Sequence, residues 1–207
     1  MRDSYRDELD ATTELIVTVA GLVRTAVQDA TTALVTADLT IAERVISGDA
    51  RIDELTKEIE QRSFQLLARQ APVAGELRTV VAVLRMSYSL DRMGDLAAHI
   101  AKIARLRYPE VAAPEPIADQ IKQMAETADS MIATAITTLE NRDAEAAAGL
   151  ATADSKMDEL RSDQFHLLLS DDWEYGVEKA VDTALLGRYY ERIADHAVAM
   201  GARTIYI

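Results

Sequence analysis

The chain has 207 residues, of which 49% are hydrophobic, so it is long and apolar enough to bury a substantial core. It has no cysteine, which excludes a disulfide framework and any thiolate metal site. The 35 acidic and 22 basic residues give a net charge of −13 without a Lys/Arg cluster along the sequence, which argues against nucleic-acid binding.

Scarce glycine, proline and aromatic residues favour an all-α fold. Apolar residues at helical spacing predict a first helix over about 3–36, and Asp38 is a candidate N-cap for a second helix over about 39–68. Gly48 is a candidate kink in that second helix, and Pro72 ends it. A third helix is predicted over about 74–107.

Residues 108–116 (YPEVAAPEP) form the one proline-rich stretch of the sequence, and they mark a boundary. Beyond it the pattern predicts helices over about 117–140, from 143 or 144 to 169, and over 173–205. We therefore predict two pseudo-symmetric three-helix bundles in tandem, with a first repeat over 1–108, a linker over 109–116 and a second repeat over 117–207. The N-terminus lacks an apolar signal region and the apolar runs are short, so a cytoplasmic protein is expected.

The two halves share an acidic motif. Residues 91–95 (DRMGD) recur as 191–195 (ERIAD), at an offset of 191 − 91 = 100. The segment 38–55 also matches 143–160, at an offset of 143 − 38 = 105, which indicates duplication of a unit of several elements. In each copy two carboxylates lie four residues apart on one helix face, an arrangement suited to binding a cation.

These residues resemble the PhoU family of helical regulators, which are built from two three-helix repeats with an acidic E/D-x-x-x-D motif on each third helix. The resemblance covers essentially the whole chain. It depends on 91–95 (DRMGD) and 191–197 (ERIADHA), the lead-in 72–78 (PVAGELR) and the opening MRxxYxxxL of residues 1–9.

The resemblance implies a cytoplasmic regulatory adaptor of phosphate homeostasis that links a phosphate ABC transporter, through its ATPase, to a sensor histidine kinase. Such a protein represses phosphate-starvation signalling and phosphate uptake, and reaches the membrane only through its partners. The resemblance leaves open whether two copies form a homodimer and whether phosphate is bound directly.

The resemblance also implies bound metal ions, iron or zinc in the first place and manganese or magnesium as alternatives, held by Asp91, Asp95, Glu191 and Asp195. Oxygen ligands suit such hard or borderline ions. Asp91 stands where Glu is common in the family, which shortens the reach of the carboxylate and makes the second copy the more favourable site. His99 continues the stripe of Asp91 and Asp95 and is a secondary ligand candidate. His196 is a weaker one, because it points roughly 100° away from its neighbour on the helix.

Two other interpretations remain. The acids could instead form salt bridges with arginines in a metal-independent scaffold, or contact a basic patch on a partner; the arginines concerned are Arg85, Arg92, Arg188 and Arg192. An enzyme is not expected, because carboxylate-bridged di-iron sites need Glu-x-x-His motifs on two helices, whereas the nearest spacing here, Asp163 to His166, occurs once. The sequence also lacks a Gly-rich phosphate loop and a nucleophile with a neighbouring base.

Overall fold

The fold consists of six long helices. The computed structural model describes residues 2–69, 72, 74–113, 115, 117–141 and 143–204, and no strand occurs in these ranges. The helices are α1 (Arg2–Thr36), α2 (Leu39–Arg69), α3 (Gly75–Arg107), α4 (Ile117–Asn141), α5 (Ala144–Leu168) and α6 (Gly176–Thr204). The predicted all-α architecture is confirmed, and each helix lies close to its predicted range.

Two aspartate side chains cap the starts of helices, one of them predicted from the sequence. The Ile41 backbone N–H donates to Asp38 Oδ1 at 2.9 Å, so Asp38 caps α2 as predicted. Asp143 caps α5 by accepting bonds from the N–H groups of Glu145 and Ala146 at 3.0 Å. Both caps satisfy backbone donors that the first helical turn leaves without a partner. Gly48 lies inside α2, which continues through it as one helix.

The start of α6 differs from the prediction. The helix begins at Gly176 and not at Trp173, because residues 169–175 form a turn in which the Trp173 indole donates to the Gly176 carbonyl at 2.9 Å. Gly176 has a φ of 80°, a conformation that favours glycine and interrupts helical geometry. The predicted end of α6 at Ile205, the break at Arg142 and the linker prolines Pro114 and Pro116 lie outside the described residues.

Each repeat is a bundle in which all three helices pack on one another, and two further contacts join the repeats. Helix α3 packs on α6, and α1 packs on α4. One continuous cluster of buried apolar side chains runs through both bundles, so the two repeats share a core. This core explains why the repeats form one body, since burial of apolar surface is the main stabilising contribution to folding.

Helices α3 and α6 cross in opposite directions. The end of α3 meets the start of α6, where Arg107 Nε lies 2.5 Å from Asp182 Oδ2 and a second guanidinium nitrogen contacts Glu178. Nearer the start of α3, the ring of Tyr88 lies 6.5 Å from that of His196 near the end of α6. This antiparallel crossing brings the middle parts of the two helices together.

The contact between α1 and α4 is polar at its centre. Arg24 forms a two-pronged ion pair with Asp129, at 2.7 and 2.8 Å, and the Gln28 amide donates to the same carboxylate at 2.7 Å. Below it, the fully buried Tyr190 of α6 shares a hydrogen bond of 2.8 Å with the Thr31 hydroxyl. None of the helices, within the ranges given above, has an apolar stretch that could cross a membrane.

Candidate metal centre

The first acidic motif faces helix α2, where it meets a second pair of carboxylates. Asp91 and Asp95 of α3 lie within electrostatic reach of Asp49 and Asp53 of α2. The Thr56 hydroxyl donates to Asp91 Oδ1 at 3.2 Å and fixes that side chain against α2. We call this set the first acidic cluster: Asp49, Asp53, Asp91 and Asp95.

Asp49 is the most perturbed member of the first acidic cluster. Its burial, followed by the charges of Asp53 and Asp95, raises the pKa of Asp49 to about 6. Its Oδ1 atom is buried and has no hydrogen-bond partner. That atom lies 3.0 Å from the position that a Cβ would take on Gly94, so the absence of a side chain there lets α2 approach α3 closely.

Positive charge near the first acidic cluster is limited. Arg92 Nη1 contacts Asp95 Oδ2 at 2.6 Å, and Lys57 Nζ lies 4.0 Å from Asp53 Oδ2; each pair lies within one helix and is partly exposed. Lys102 acts on Asp49 only as a nearby charge that lowers its pKa. Among these four residues, the buried carboxylate oxygen without a hydrogen-bond partner is Asp49 Oδ1, an exception, since a buried polar atom normally has a partner.

The second repeat builds an equivalent set from α5 and α6. Burial raises the pKa of Asp154, and the nearby carboxylates of Asp158, Asp195 and Glu191 raise it further. The pKa of Asp195 is raised by burial and then by Glu191. These residues form the second acidic cluster: Asp154, Asp158, Glu191 and Asp195.

Arginines neutralise part of the second acidic cluster. Glu191 Oε2 lies 2.8 Å from Arg188 Nη1 and 3.5 Å from Arg161 Nε. The Arg161 guanidinium also lies 4.0 Å from the centre of the Phe165 ring, a cation–π contact. Of the salt-bridge partners expected from the sequence, Arg92 and Arg188 pair with motif acids, whereas Arg85 and Arg192 form no ion pair with another described residue.

Half of the residues in each acidic cluster were not predicted as ligands from the sequence. The prediction named the acids of α3 and α6 but not Asp49, Asp53, Asp154 and Asp158 from α2 and α5. The signal was present in the matched segments, because 49 + 105 = 154 and 53 + 105 = 158, and each pair has the same spacing of four. Only the packing of α2 on α3 and of α5 on α6 shows that these pairs face the recognised motifs.

The carboxylates are not arranged as a finished metal site. In the described ranges, no group of three or more His, Asp or Glu side chains converges in a geometry that would hold an ion. The donor chemistry does fit a hard or borderline cation, because the clusters offer oxygen atoms and Asp49 Oδ1 has no other partner. Holding an ion would require the half-exposed Asp95 to turn away from Arg92.

The two candidate histidines lie beside the contact between α3 and α6. Rings of His99 and Tyr189 are 5.5 Å apart, while His196 contacts Tyr88. Burial lowers the pKa of His99 and of His196, and the Arg192 charge lowers the latter further. Both histidines line a cavity of about 200 Å³ that we call the seam cavity. Asp95 lines it too, so this residue lies between the first acidic cluster and the seam cavity.

The chain is similar to known proteins along its whole length. A family model described as the PhoU domain matches residues 16–104 and 121–204. A phosphate-specific transport system accessory protein PhoU homolog 2 from Mycobacterium tuberculosis is 42% identical over 206 residues, covering 100% of this chain and 97% of the relative. A PhoU homolog from Caulobacter vibrioides is 30% identical over 198 residues, 94% of this chain and 85% of the relative.

Solved structures agree with the sequence relatives. The crystal structure of PhoU from Pseudomonas aeruginosa superposes with a TM-score of 0.92 at 25% identity, over 98% of this chain and 97% of that one. The phosphate transport system regulatory protein PhoU from Streptococcus pneumoniae gives a TM-score of 0.88 at 25% identity, over 98% and 95% of the two chains.

Proposed function

The chain belongs to the PhoU family, and we propose that it is an accessory protein of a phosphate transport system that binds metal ions through its two acidic clusters. The similarity to accessory proteins of phosphate-specific transport systems supports the role in phosphate transport. The observation that supports metal binding is the buried Asp49 Oδ1 atom, which has no hydrogen-bond partner amid three other carboxylates.

The proposed accessory role is regulation without catalysis. In the cytoplasm, the protein would link the ATPase of a phosphate ABC transporter to a sensor histidine kinase and repress phosphate-starvation signalling and phosphate uptake. Exposed apolar side chains on two neighbouring helices offer contact surfaces for such partners. They are Leu77, Val81 and Tyr88 on α3 and Val177, Val181 and Leu185 on α6.

In the first repeat, a bound ion would be held by carboxylates from α2 and α3. Asp49 and Asp53 would approach it from one helix, and Asp91 and Asp95 from the other. The ion would supply positive charge that offsets the mutual repulsion of these acids and joins the two helices. In the second repeat, Asp154, Asp158 and Asp195 are the better placed ligands, because Glu191 already contacts two arginines.

Metal content of purified variants tests the metal proposal. Replacing Glu191 and Asp195 together by Ala, and separately Asp91 and Asp95 together by Ala, should each lower the number of iron, zinc or manganese ions bound per chain. Each change should also lower the melting temperature measured with metal present, because a ligand that binds only the folded state stabilises it. Elemental analysis and calorimetric melting supply the two measurements.

A matched control is available on α1. Asp10 and Glu14 are exposed acids with the same spacing of four, and they lie away from both acidic clusters. Replacing them together by Ala should leave the metal content unchanged. Unchanged metal content in both cluster variants would overturn the proposal.

Affinity capture tests the regulatory part. A tagged chain expressed in phosphate-replete cells should recover a transporter ATPase, a histidine kinase or both, identified by mass spectrometry. A double change of Val181 and Leu185 on α6 to Ser should reduce that recovery while the melting temperature stays within a few degrees. Recovery of neither partner under phosphate-replete or phosphate-starved conditions would contradict the adaptor role.

A metal-independent scaffold is the second candidate, favoured by the pairs that Arg92 makes with Asp95 and Arg188 makes with Glu191. In such a scaffold the motif acids serve as salt-bridge or partner contacts. It predicts that Glu191→Gln weakens partner capture while chelator treatment of the wild type does not.

A further inference from the structure

The seam cavity gathers positively charged side chains in a protein with a net charge of −13. It lies between α3 and α6, and the arginine, aspartate and histidine residues that line it are Arg92, Asp95, His99, Arg188, Arg192 and His196. Three arginine side chains therefore line one small cavity, although these residues lie up to 100 positions apart in the sequence.

The duplication and the antiparallel crossing together explain this arrangement. Arg92 and Arg192 are equivalent positions of the two motifs, because 192 − 92 = 100. The crossing places the middle of α3 against the middle of α6, so equivalent residues approach one another across the contact. Both arginines act electrostatically on the same imidazole, that of His196, which indicates that they converge.

The charges facing the seam cavity do not cancel. Asp95 pairs with Arg92, and Glu191 pairs with Arg188, but Arg192 forms no ion pair with any residue in the described ranges. The Arg92 and Arg188 side chains are 43% and 51% exposed in their pairs. The half-exposed pair of Arg92 with Asp95 contributes little stability, so the Arg92 guanidinium can turn towards a new ligand at small cost. When Arg188 turns away, the Glu191 side chain, which is 21% exposed, keeps Arg161 as a partner at 3.5 Å.

We propose that the seam cavity binds a small tetrahedral oxyanion of the phosphate class, held by Arg92, Arg188 and Arg192. Guanidinium groups present paired N–H donors that match the oxygens of such an anion. The volume of about 200 Å³ accommodates the ion with a few waters, each of which occupies roughly 30 Å³. His99 and His196 supply further ring N–H groups at the edge of the cavity. The site shares Asp95 with the first acidic cluster, but it does not require a bound metal ion.

Histidine NMR on the full chain offers a direct test, because the sequence has three histidines and two of them line the cavity. The third, His166 on α5, is exposed and serves as an internal reference. Inorganic phosphate is titrated at fixed pH and ionic strength into chelator-treated protein, so that phosphate cannot bind through a metal ion. We expect the ring resonances of His99 and His196 to move along one saturable curve while those of His166 stay in place.

Matched arginine variants then locate the anion. Arg92→Gln and Arg192→Gln should each weaken phosphate binding about ten-fold, the loss expected for a hydrogen bond between charged groups. Arg85→Gln removes the same charge from an exposed position of α3 outside the cavity and should leave the affinity unchanged. Circular dichroism checks that all three variants fold.

Three results would overturn the proposal. The first is no saturable movement of His99 and His196 up to about 10 mM phosphate, which corresponds to binding weaker than roughly −3 kcal/mol. The second is an equal response to chloride at matched ionic strength. The third is a phosphate affinity that falls equally in Arg85→Gln and in the two cavity variants, since that would show attraction by net charge alone.

Discussion

The two acidic clusters have the same carboxylate pattern but different electrostatic surroundings. In the second repeat, Arg161 and Arg188 both contact Glu191. In the first repeat, Arg92 contacts Asp95 and Lys57 lies 4.0 Å from Asp53, while the buried Oδ1 atom of Asp49 has no hydrogen-bond partner. Duplication therefore preserved the acids while the groups that neutralise them diverged.

This difference bears on which repeat binds a cation more tightly. From the sequence, the second repeat is expected to bind metal more favourably, because Asp91 of the first repeat has a shorter side chain than Glu. That preference stays a prediction. The contacts favour the opposite order, because a cation at the first acidic cluster would meet a carboxylate oxygen without a partner, whereas one at the second would compete with two arginines. The experiments below test the comparison, beginning with the largest expected effect.

Metal binding at the two acidic clusters can be compared directly only if both repeats fold as one body. Arg107→Ala tests whether they do. The Arg107 side chain is 20% exposed and that of Asp182 7% exposed, so the change leaves a buried carboxylate without its cation. We expect a loss of about 2–4 kcal/mol in the free energy of unfolding. Urea denaturation, followed by circular dichroism, supplies the measurement.

Arg105→Ala is the matched control for Arg107→Ala. Arg105 lies in the same turn of α3, but its pair with Glu43 is long, at 3.4 Å, and both side chains are about half exposed. Its replacement should change stability by at most about 0.5 kcal/mol. Equal losses in the two variants would show that the contact between α3 and α6 has no special role in joining the repeats.

Gly187→Ala probes a position at which the repeats differ. The equivalent residue of the first repeat, since 187 − 100 = 87, is Ser87, whose hydroxyl donates to the Thr56 carbonyl at 3.1 Å. A Cβ on Gly187 would lie 2.7 Å from Cδ of the buried Gln164 and 2.8 Å from Arg161 Nη1. We expect a net loss of about 1–2 kcal/mol by thermal unfolding, because overpacking outweighs the gain in helix propensity.

Gly149→Ala makes the same change on α5, where a Cβ would have no neighbour within 4 Å. It should raise stability by up to about 1 kcal/mol, because Ala favours helix over Gly. A stabilising effect of Gly187→Ala would instead mean that Gln164 moves aside freely and that the second repeat tolerates a side chain as the first does.

Asp49→Asn tests how much the repulsion among the acids of the first acidic cluster lowers the free energy of unfolding, and how that effect depends on pH. The pKa of Asp49, raised to about 6, means that between about pH 4 and 6 the folded state binds more protons than the unfolded state. The contribution of Asp49 to stability is thus present at low pH and is lost as pH rises through 6. Removing the charge should stabilise the metal-free protein at pH 7 by about 1 kcal/mol, after allowance for solvent screening.

Urea titrations of the metal-free protein at pH 4, 5, 6 and 7 measure this effect. The advantage of Asp49→Asn over the wild type should vanish near pH 4 and reverse at pH 7 when saturating metal is added, because the variant loses a ligand. Asp154→Asn provides the comparison in the second repeat. A variant that stayed more stable with metal present would contradict a ligand role for Asp49.

Arg161→Gln should have the smallest effect and makes the second acidic cluster resemble the first. Arg161 is 11% exposed, and its burial lowers its own pKa, so the loss of its pair with Glu191 is offset by relief of a buried charge. Stability should change by about 0.5 kcal/mol or less. Metal affinity of the second repeat should rise about three-fold, as measured by calorimetric titration of a chain in which Asp91 and Asp95 are Ala. Unchanged affinity would show that Arg161 does not compete with the cation.

Much of the fold could be predicted from patterns of neighbouring residues in the sequence. Helical periodicity located six helices, and Asp38 was identified as an N-cap because N-capping depends on residues a few positions apart. The start of α6 was predicted at Trp173 and not at Gly176, because the bond from the Trp173 indole to the Gly176 carbonyl, which holds this segment in a turn, was not foreseen. A side-chain bond to a backbone carbonyl leaves no periodic signal in the sequence.

The sequence by itself determined the six helices, their duplication and the acids that share a helix face, because each depends on neighbours within a few turns or on direct comparison of two segments. Only the tertiary structure decided which acids from different helices meet, which of them arginines neutralise, and that Arg92 and Arg192 face one cavity. No Lys/Arg cluster exists along the sequence, yet the antiparallel crossing of α3 and α6 creates one. Charges that lie far apart in the chain interact through space, so their energetics follow packing and burial and not their order in the sequence.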